Sequence, residues 1–332
     1  MEVDLKYILF ISSALLCSIL LAVCILLISV SKPYPVIIRS KKEKCFIDPK
    51  SGESIAFPSI NGKSTLHLSV IIPAYNEETR LVPMLDECIE FLENRTKDSS
   101  FKYEIIVVSD GSTDGTVSVA SKYCERLGVE KFRILELECN RGKGGAVRLG
   151  MQSARGAMLL FADADGATKF ADLIKLESSL TELLERDYLK EPEITADKLA
   201  ISVGSRAHLQ NEAVAKRSMF RTILMYGFHA FVWLFAVRGV KDTQCGFKLL
   251  TREAARICFE SLHVERWAFD AELLYIAKYL NIPITEIAVN WTEIEGSKLI
   301  PIWSWVQMGR DLFLIWLRYQ IGAWKIVPVK KN

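Results

Sequence analysis

No C-x-x-C pair occurs in this chain, and its eight cysteines (Cys17, Cys24, Cys45, Cys88, Cys124, Cys139, Cys245 and Cys258) stand apart. That scatter excludes a zinc ribbon and a disulfide framework, and fits reduced thiols in a cytosol-facing protein. Charge of one sign is also lacking: 42 basic residues against 40 acidic ones leave no general footprint for nucleic acid. The G-x-x-x-x-G-K-[ST] phosphate loop is missing, and no small-residue cleavage site follows the N-terminal apolar run. What is present is a chain of 332 residues, long enough for one large α/β domain with attachments.

From Tyr7 to Val30 there is no charged residue, and the run is interrupted only by serines, cysteines and its edge tyrosine. As a helix it would rise about 36 Å, enough to cross a ~30 Å hydrocarbon core. Residues 1–31 are therefore expected to form a permanent single-pass anchor. Lys32, Arg39, Lys41, Lys42 and Lys44 follow the span, so the positive-inside rule puts the remainder in the cytosol. Residues 32–66, rich in Pro, Ser, Gly and Lys, read as a linker, and 67–298 as the main folded domain.

Within that domain strands alternate with helices, the pattern of a mostly parallel sheet with helices on both faces. MLLFADADGA closes a buried strand with Asp163 and Asp165. Two apart on a strand, both carboxylates point the same way and can meet one divalent cation, Mg²⁺ or Mn²⁺, whose shell substrate phosphates would complete. Such paired aspartates also form turns and helix caps. LSVIIPAYNE and YEIIVVSDGSTDGT end two further strands, the second at Asp110, which either accepts a hydrogen bond from a base or sugar or caps the next helix near Thr113 or Asp114. In FRILELECNRGKGGAVRLGM a glycine-rich turn leads into a helix. There Arg141 or Lys143 can neutralise a diphosphate, the glycines allow close backbone approach, and the helix N-terminus adds positive charge.

PAYNE, SDGSTDGT, NRGKGGA and ADADGA, in this order, resemble the inverting family 2 glycosyltransferases, with the nucleotide-diphospho-sugar transferase (GT-A type) fold. GSRAHL, LMYGFH, DTQCGFKL, HVERWAFDAELL and VNWTEIEGSK narrow the resemblance to the dolichyl-phosphate β-glucosyltransferases. It runs from about Leu68 to Trp324. It implies transfer of glucose from UDP-glucose to dolichyl phosphate at the endoplasmic reticulum membrane, with a divalent metal on Asp163 and Asp165. Donor binding would fall to Pro73, Tyr75, Glu77, Asp110, Lys143 and Asp163. Ser109 departs from the wider family, which commonly has a second aspartate there.

In the second half, ISVGSRAHL ends a strand near Arg206, and Arg217 and Arg221 lie four apart on one helical face. Arginines grip a phosphate monoester bidentately, and similar enzymes hold dolichyl phosphate with arginines in this region; Arg206, Arg217 and Arg221 are the candidates, against an ordinary basic helix edge. The apolar run 222–237 is expected to lie at the membrane surface or in the core. Residues 299–332, with Trp303, Trp305, Trp316, Trp324, Arg310 and Arg318, are expected as an amphipathic membrane-associated segment. Asp270 stands where many family members place a catalytic base, but a phosphate monoester with a second pKa near ~6 needs none; a positioning carboxylate or partner for Arg266 fits better. In HVERW a histidine replaces the glutamine of the polymerases' Q-x-x-R-W, and no further spans follow, so a processive synthase is rejected. His208, His229 and His263 are assigned no chemistry.

Two rivals remain open: the sister reaction with GDP-mannose, and a membrane-tethered nucleotide-sugar-binding protein without turnover. Asn94-Arg95-Thr96 and Asn290-Trp291-Thr292 are glycosylation acceptor patterns that a cytosolic domain leaves bare, with Asn290 expected to be the more buried.

Overall fold

The computed structural model describes residues 5–97, 100–209, 239–294 and 301–328. Arg217, Arg221 and the run 222–237 lie outside these residues, as do the side chains of Trp303 and Trp305.

Helix α1 (Leu5–Val30) is long and apolar enough to cross a membrane, and none of its apolar stretch is buried within the protein. Its serines return their hydroxyls to the helix itself: Ser12 to the carbonyl of Leu9, Ser13 to Phe10, Ser18 to Ala14 and Ser29 to Leu26. A hydrocarbon surround offers no other acceptor, so these bonds are what make four serines tolerable there.

The stretch expected as a linker is partly folded. Strands β1 (Cys45–Ile47) and β2 (Ser54–Ala56) pair antiparallel, Phe46 is buried, and the Glu43 side chain is fully enclosed. Phe46 stacks at a tilt on Phe57 and lies under the guanidinium of Arg133, so this arm has a small core contact that its composition concealed.

Among the described residues seven strands form the central sheet: β3 (Leu66–Ala74), β4 (Tyr103–Ser109), β5 (Phe132–Glu136), β6 (Gly156–Ala162), β7 (Ile201–Ser205), β8 (Phe247–Thr251) and β9 (Ile284–Ala288), in the order β5-β4-β3-β6-β8-β7-β9. β8 alone runs against the rest, pairing antiparallel with β6 and β7. Alternation sorts the side chains. Leu68, Val70 and Ile72 of β3 and Ile105 and Val107 of β4 face one core with α2 (Leu81–Lys97), α3 (Thr116–Leu127) and α5 (Leu173–Leu184). Ile71, Ile106, Val108 and Phe161 face the other core with α4 (Lys143–Gln152), α7 (Arg252–Ser261) and α8 (Phe269–Tyr279). Apolar residues on both faces are what a mostly parallel sheet requires. The chain enters at β3, builds outward to β5, and crosses back to β6, so the switch in strand order falls between β3 and β6. A short helix α6 (Pro192–Ala196) precedes β7. Helix α3 begins at Thr116, two or three residues after the expected start, with Asp114 Oδ1 accepting the Thr116 N–H (3.0 Å) just ahead of it.

Helix α9 (Pro301–Gln320) docks its later half on the domain, with Leu312 and Ile315 buried. Trp324 was expected at the lipid interface; instead it stacks on His263 (centroids 4.2 Å apart, planes 6° apart) under the Arg318 guanidinium. The buried Glu272 carboxylate fixes this junction, accepting the Tyr319 hydroxyl (2.8 Å) and the N–H groups of His263 (3.0 Å) and Val264 (2.6 Å). Asn290 is exposed, contrary to expectation, with its amide group donating to Asp172.

Trp324→Ala should lower unfolding stability in urea by about 3 kcal/mol, the usual cost of truncating a buried tryptophan. A variant that unfolds like wild type but loses affinity for lipid vesicles would restore the interfacial role.

Candidate active site

Most candidate side chains in the described residues sit at one edge of the sheet. Tyr75 and Glu77 follow β3, Asp110 follows β4, the turn 137–142 follows β5, Asp163 and Asp165 follow β6, and Arg206 follows β7. This is the carboxyl edge flanking the switch in strand order, where open α/β sheets bind ligands.

Asp163 and Lys143 meet here: the ammonium of Lys143, first residue of α4, lies 2.6 Å from Asp163 Oδ1. Burial works against the lysine's charge, but the carboxylates of Asp163 and Asp270 outweigh it and raise its pKa. Asp165 accepts the Ala167 N–H (3.0 Å) in a turn, and its pKa is raised by burial and by the neighbouring Asp163. Behind Lys143, Asp270 is enclosed and paired with Lys248 (2.5 Å), whose ammonium also donates to the Cys245 carbonyl (2.6 Å). The expected partner of Asp270, Arg266, is replaced by Lys248. Burial raises the Asp270 pKa, with Lys248 and Lys143 pulling the other way.

Asp163 is further confined by Gly246. Its N–H donates to the Gly246 carbonyl (3.0 Å), and a Cβ on Gly246 would stand 1.9 Å from Asp163 Oδ2. The glycine of DTQCGFKL thus makes room for the carboxylate.

Asp110 has a definite task in the protein: its two carboxylate oxygens accept the N–H groups of Arg141 (2.7 Å) and Gly142 (2.9 Å). It caps the glycine-rich turn rather than α3; burial raises its pKa and those two bonds oppose the rise. The glycines of that turn serve packing. A Cβ on Gly142 would come within 2.8 Å of the Glu265 carbonyl oxygen, and one on Gly144 within 2.5 Å of Phe269 Cβ. HVERWAF therefore lies flat on NRGKGG, and the Gly145 N–H at the start of α4 is spent on the Glu265 carbonyl (2.9 Å). Arg141 is spent too, on the Ile38 carbonyl (2.6 Å) and Glu43 (2.7 Å), so of the turn's two cations Lys143 is the one at the carboxylates.

Glu77 holds Arg80 through two bonds (2.7 and 2.6 Å), while Pro73 lies within β3 and Tyr75 is partly exposed. Arg206 forks onto Asp242, Nε to Oδ2 at 2.7 Å and an Nη2 bond to Oδ1 at 2.9 Å, with its guanidinium 5.4 Å from the Trp291 ring centroid. The residues that sequence reasoning missed, Asp242 and Lys248, both lie in DTQCGFKL, quoted only as a family mark.

Comparison with known proteins agrees with this arrangement. Residues 69–183 match the model of glycosyl transferase family 2. The dolichyl-phosphate beta-glucosyltransferase of Drosophila melanogaster is 60% identical over 313 residues, covering 94% of this chain and 93% of the fly protein. The human protein of that name is 53% identical over 320 residues, 96% of each chain. This chain belongs to the dolichyl-phosphate β-glucosyltransferase family. Among solved structures, glucosyl-3-phosphoglycerate synthase from Mycobacterium tuberculosis, crystallised with UDP, matches with a TM-score of 0.50 at 16% identity, over 80% of this chain and 82% of that one. That likeness concerns the fold alone, which is of GT-A type. In this member of the β-glucosyltransferase family the Lys143 ammonium lies against Asp163, beside Asp165, at the carboxyl edge of the sheet.

Two carboxylates on one strand end form a hard oxygen donor set, and Mg²⁺ takes one or two carboxylates with the rest from water and phosphate. Among the described residues no cluster of three metal-ligating side chains occurs, so Asp163 and Asp165 fit a cation shared with substrate and not an all-protein cage.

Asp242 titrates below the ordinary carboxylate range: burial opposes its charge, but the Arg206 bonds outweigh it. A depressed acid contributes stability that is complete above its unfolded pKa, about 3.9, and is lost as pH falls through its folded pKa. The urea stability gap between wild type and Asp242→Asn should accordingly stay flat from pH 7 to about pH 5 and shrink below about pH 4. A gap that widens on acidification would show that the pair is not what depresses Asp242.

Proposed function

We propose that this protein transfers glucose from UDP-glucose to dolichyl phosphate with inversion, on the cytosolic face of the endoplasmic reticulum membrane. The observation that carries the reading is the contact of Lys143 with Asp163 at the carboxyl edge of the sheet, beside Asp165. The names of the fly, human and yeast relatives, dolichyl-phosphate beta-glucosyltransferase, support a glucosyl group as what is transferred and dolichyl phosphate as its acceptor. The basic residues after α1 support the cytosolic orientation.

Asp163 and Asp165 would hold Mg²⁺ or Mn²⁺, which supplies Lewis-acid stabilisation of a leaving diphosphate. The rest is done by the chain. Lys143, kept protonated by its carboxylates, offers positive charge where UDP departs. Asp110 fixes the turn that carries Lys143, and the same carboxylate retains lone pairs for the uridine. The phosphate oxygen of the acceptor, already ionised at neutral pH, attacks the anomeric carbon as the bond to UDP breaks on the opposite face. No general base is needed. Asp270, enclosed and paired with Lys248, holds Lys143 in place instead of accepting a proton. Arg206 grips the acceptor phosphate with the Nη1 N–H groups that the Asp242 fork leaves over; Arg217 and Arg221, outside the described residues, are the further arginines assigned to that phosphate by the family resemblance.

Membrane-bound protein should form glucosyl lipid from UDP-glucose and dolichyl phosphate, chelator-sensitive, and no mannosyl lipid from GDP-mannose. Asp165→Ala should cut turnover by at least about a hundredfold, the scale of several kcal/mol, while remaining folded. Near-normal turnover in a folded Asp165→Ala protein would remove the metal assignment; mannosyl product would change the donor. Arg206→Ala should raise the KM for dolichyl phosphate and spare UDP affinity, whereas equal loss of both would make Arg206 structural.

A further inference from the structure

The arm between α1 and the catalytic domain grips the donor side of the site. Its centre is Glu43, whose side chain is 1% exposed and takes no part in the mechanism above. Glu43 Oε2 accepts Arg141 Nη2 (2.7 Å) and the Ser40 N–H (3.0 Å), and its Oε1 accepts the Glu138 N–H (3.2 Å). The Ile38 carbonyl takes the other end of the Arg141 guanidinium (2.6 Å). Arg39 reaches past the far end of α4, donating to Ser153 Oγ (3.0 Å), and Ser153 is the residue that closes that helix. The arm thus holds α4 at both ends, just before Lys143 and just after Gln152.

On its opposite side the same turn is held by Asp110, through the backbone N–H groups of Arg141 and Gly142, and by Asn140 Nδ2 on the Asp110 carbonyl (3.1 Å). Arg141 is therefore bonded through its backbone to the sheet edge and through its side chain to the arm. A guanidinium bonded at one end to a carbonyl and at the other to an enclosed carboxylate is a stiff link. Whatever fixes Arg141 fixes its neighbour but one, Lys143, against Asp163.

We propose that Glu43 is a positioning residue for the sugar-nucleotide donor: through Arg141 it sets the glycine-rich turn and the start of α4, and hence the Lys143 ammonium, so that a segment outside the sheet tunes donor affinity. The inference rests on the donor reading given above, deepening it. It concerns diphosphate binding and leaves acceptor recognition, on the far side of β6, unaffected.

Its test is UDP binding by calorimetry and steady-state kinetics on the full-length protein in detergent micelles. Glu43→Gln keeps shape and removes charge. It should weaken UDP binding and raise the KM for UDP-glucose about tenfold, equivalent to 1.4 kcal/mol, with the KM for dolichyl phosphate unchanged. Arg141→Lys, which keeps a cation but cannot bridge Ile38 and Glu43 together, should do the same and serves if Glu43→Gln fails to fold. The double variant should be no worse than the worse single one. Unchanged UDP affinity in both folded variants overturns the inference, as do equal losses for donor and acceptor that track a lowered melting temperature, or additive effects. If wild-type protein transfers glucose normally in those cases, the donor reading stands; wild type that binds no UDP would remove both.

Discussion

The site depends on one cation. Lys143 stands among carboxylates that would otherwise repel one another: Asp163 touches it, Asp165 stands beside Asp163, and Asp270 raises its pKa from behind. Lys248 completes an alternation of sign, lysine, aspartate, lysine, aspartate, running from the enclosed side of the sheet to its open edge. Buried ion pairs contribute little net stability, but removing one member strands the other, at a cost of about 3–5 kcal/mol. That cost applies to the enclosed Lys248–Asp270 pair, whereas Asp163, with 35% of its side chain exposed, is partly screened by water, and the arrangement is better understood as specifying where charges stand than as strengthening the fold.

Packing then ties the two halves of the site together. The glycine-rich turn belongs to the nucleotide half and HVERWAF to the acceptor half, yet the missing Cβ atoms at Gly142 and Gly144 let the second lie against the first. Arg148, buried on α4, donates to the Leu262 carbonyl (2.7 Å) and to Glu265, adding a polar clasp to the apolar contact of Phe269 with Phe161. A shift at the acceptor segment is thus felt at Lys143 through contact and not through a flexible joint.

Local pattern made much of this legible. β3, β4, β5 and β6 announce themselves as apolar runs, and Asp110 and Asp163 each follow directly on such a run, whereas Asp165 stands in the turn beyond β6 and not on the strand that periodicity suggested. The anchor was equally plain, since a charge-free run needs no tertiary context. What local pattern hid was pairing over distance. β8 runs antiparallel into the sheet, and only that register sets Gly246 against Asp163 and Lys248 under Asp270. Arg266 was the tempting partner for Asp270 because the two lie only four residues apart in sequence. Lys248 won because it projects from the neighbouring strand into the same enclosed space. Arg141 had the right charge for a diphosphate and was taken by Glu43, 98 residues away. Trp324 had the composition of a membrane-interface residue; the nearby imidazole of His263 claimed it.

The join between anchor and domain has little slack. Where α1 ends, the carbonyl of Pro33 accepts the N–H of Lys325 (2.8 Å) and lies 3.3 Å from His263 Nε2, so the chain is fastened to the body three residues after the helix stops. Helices of this length lean to match the thickness of the bilayer around them. With so short a lever, a lean of α1 in a bilayer would be handed on to the body of the domain, and the tilt of the sheet edge would then follow the thickness of the membrane as much as the fold of the protein.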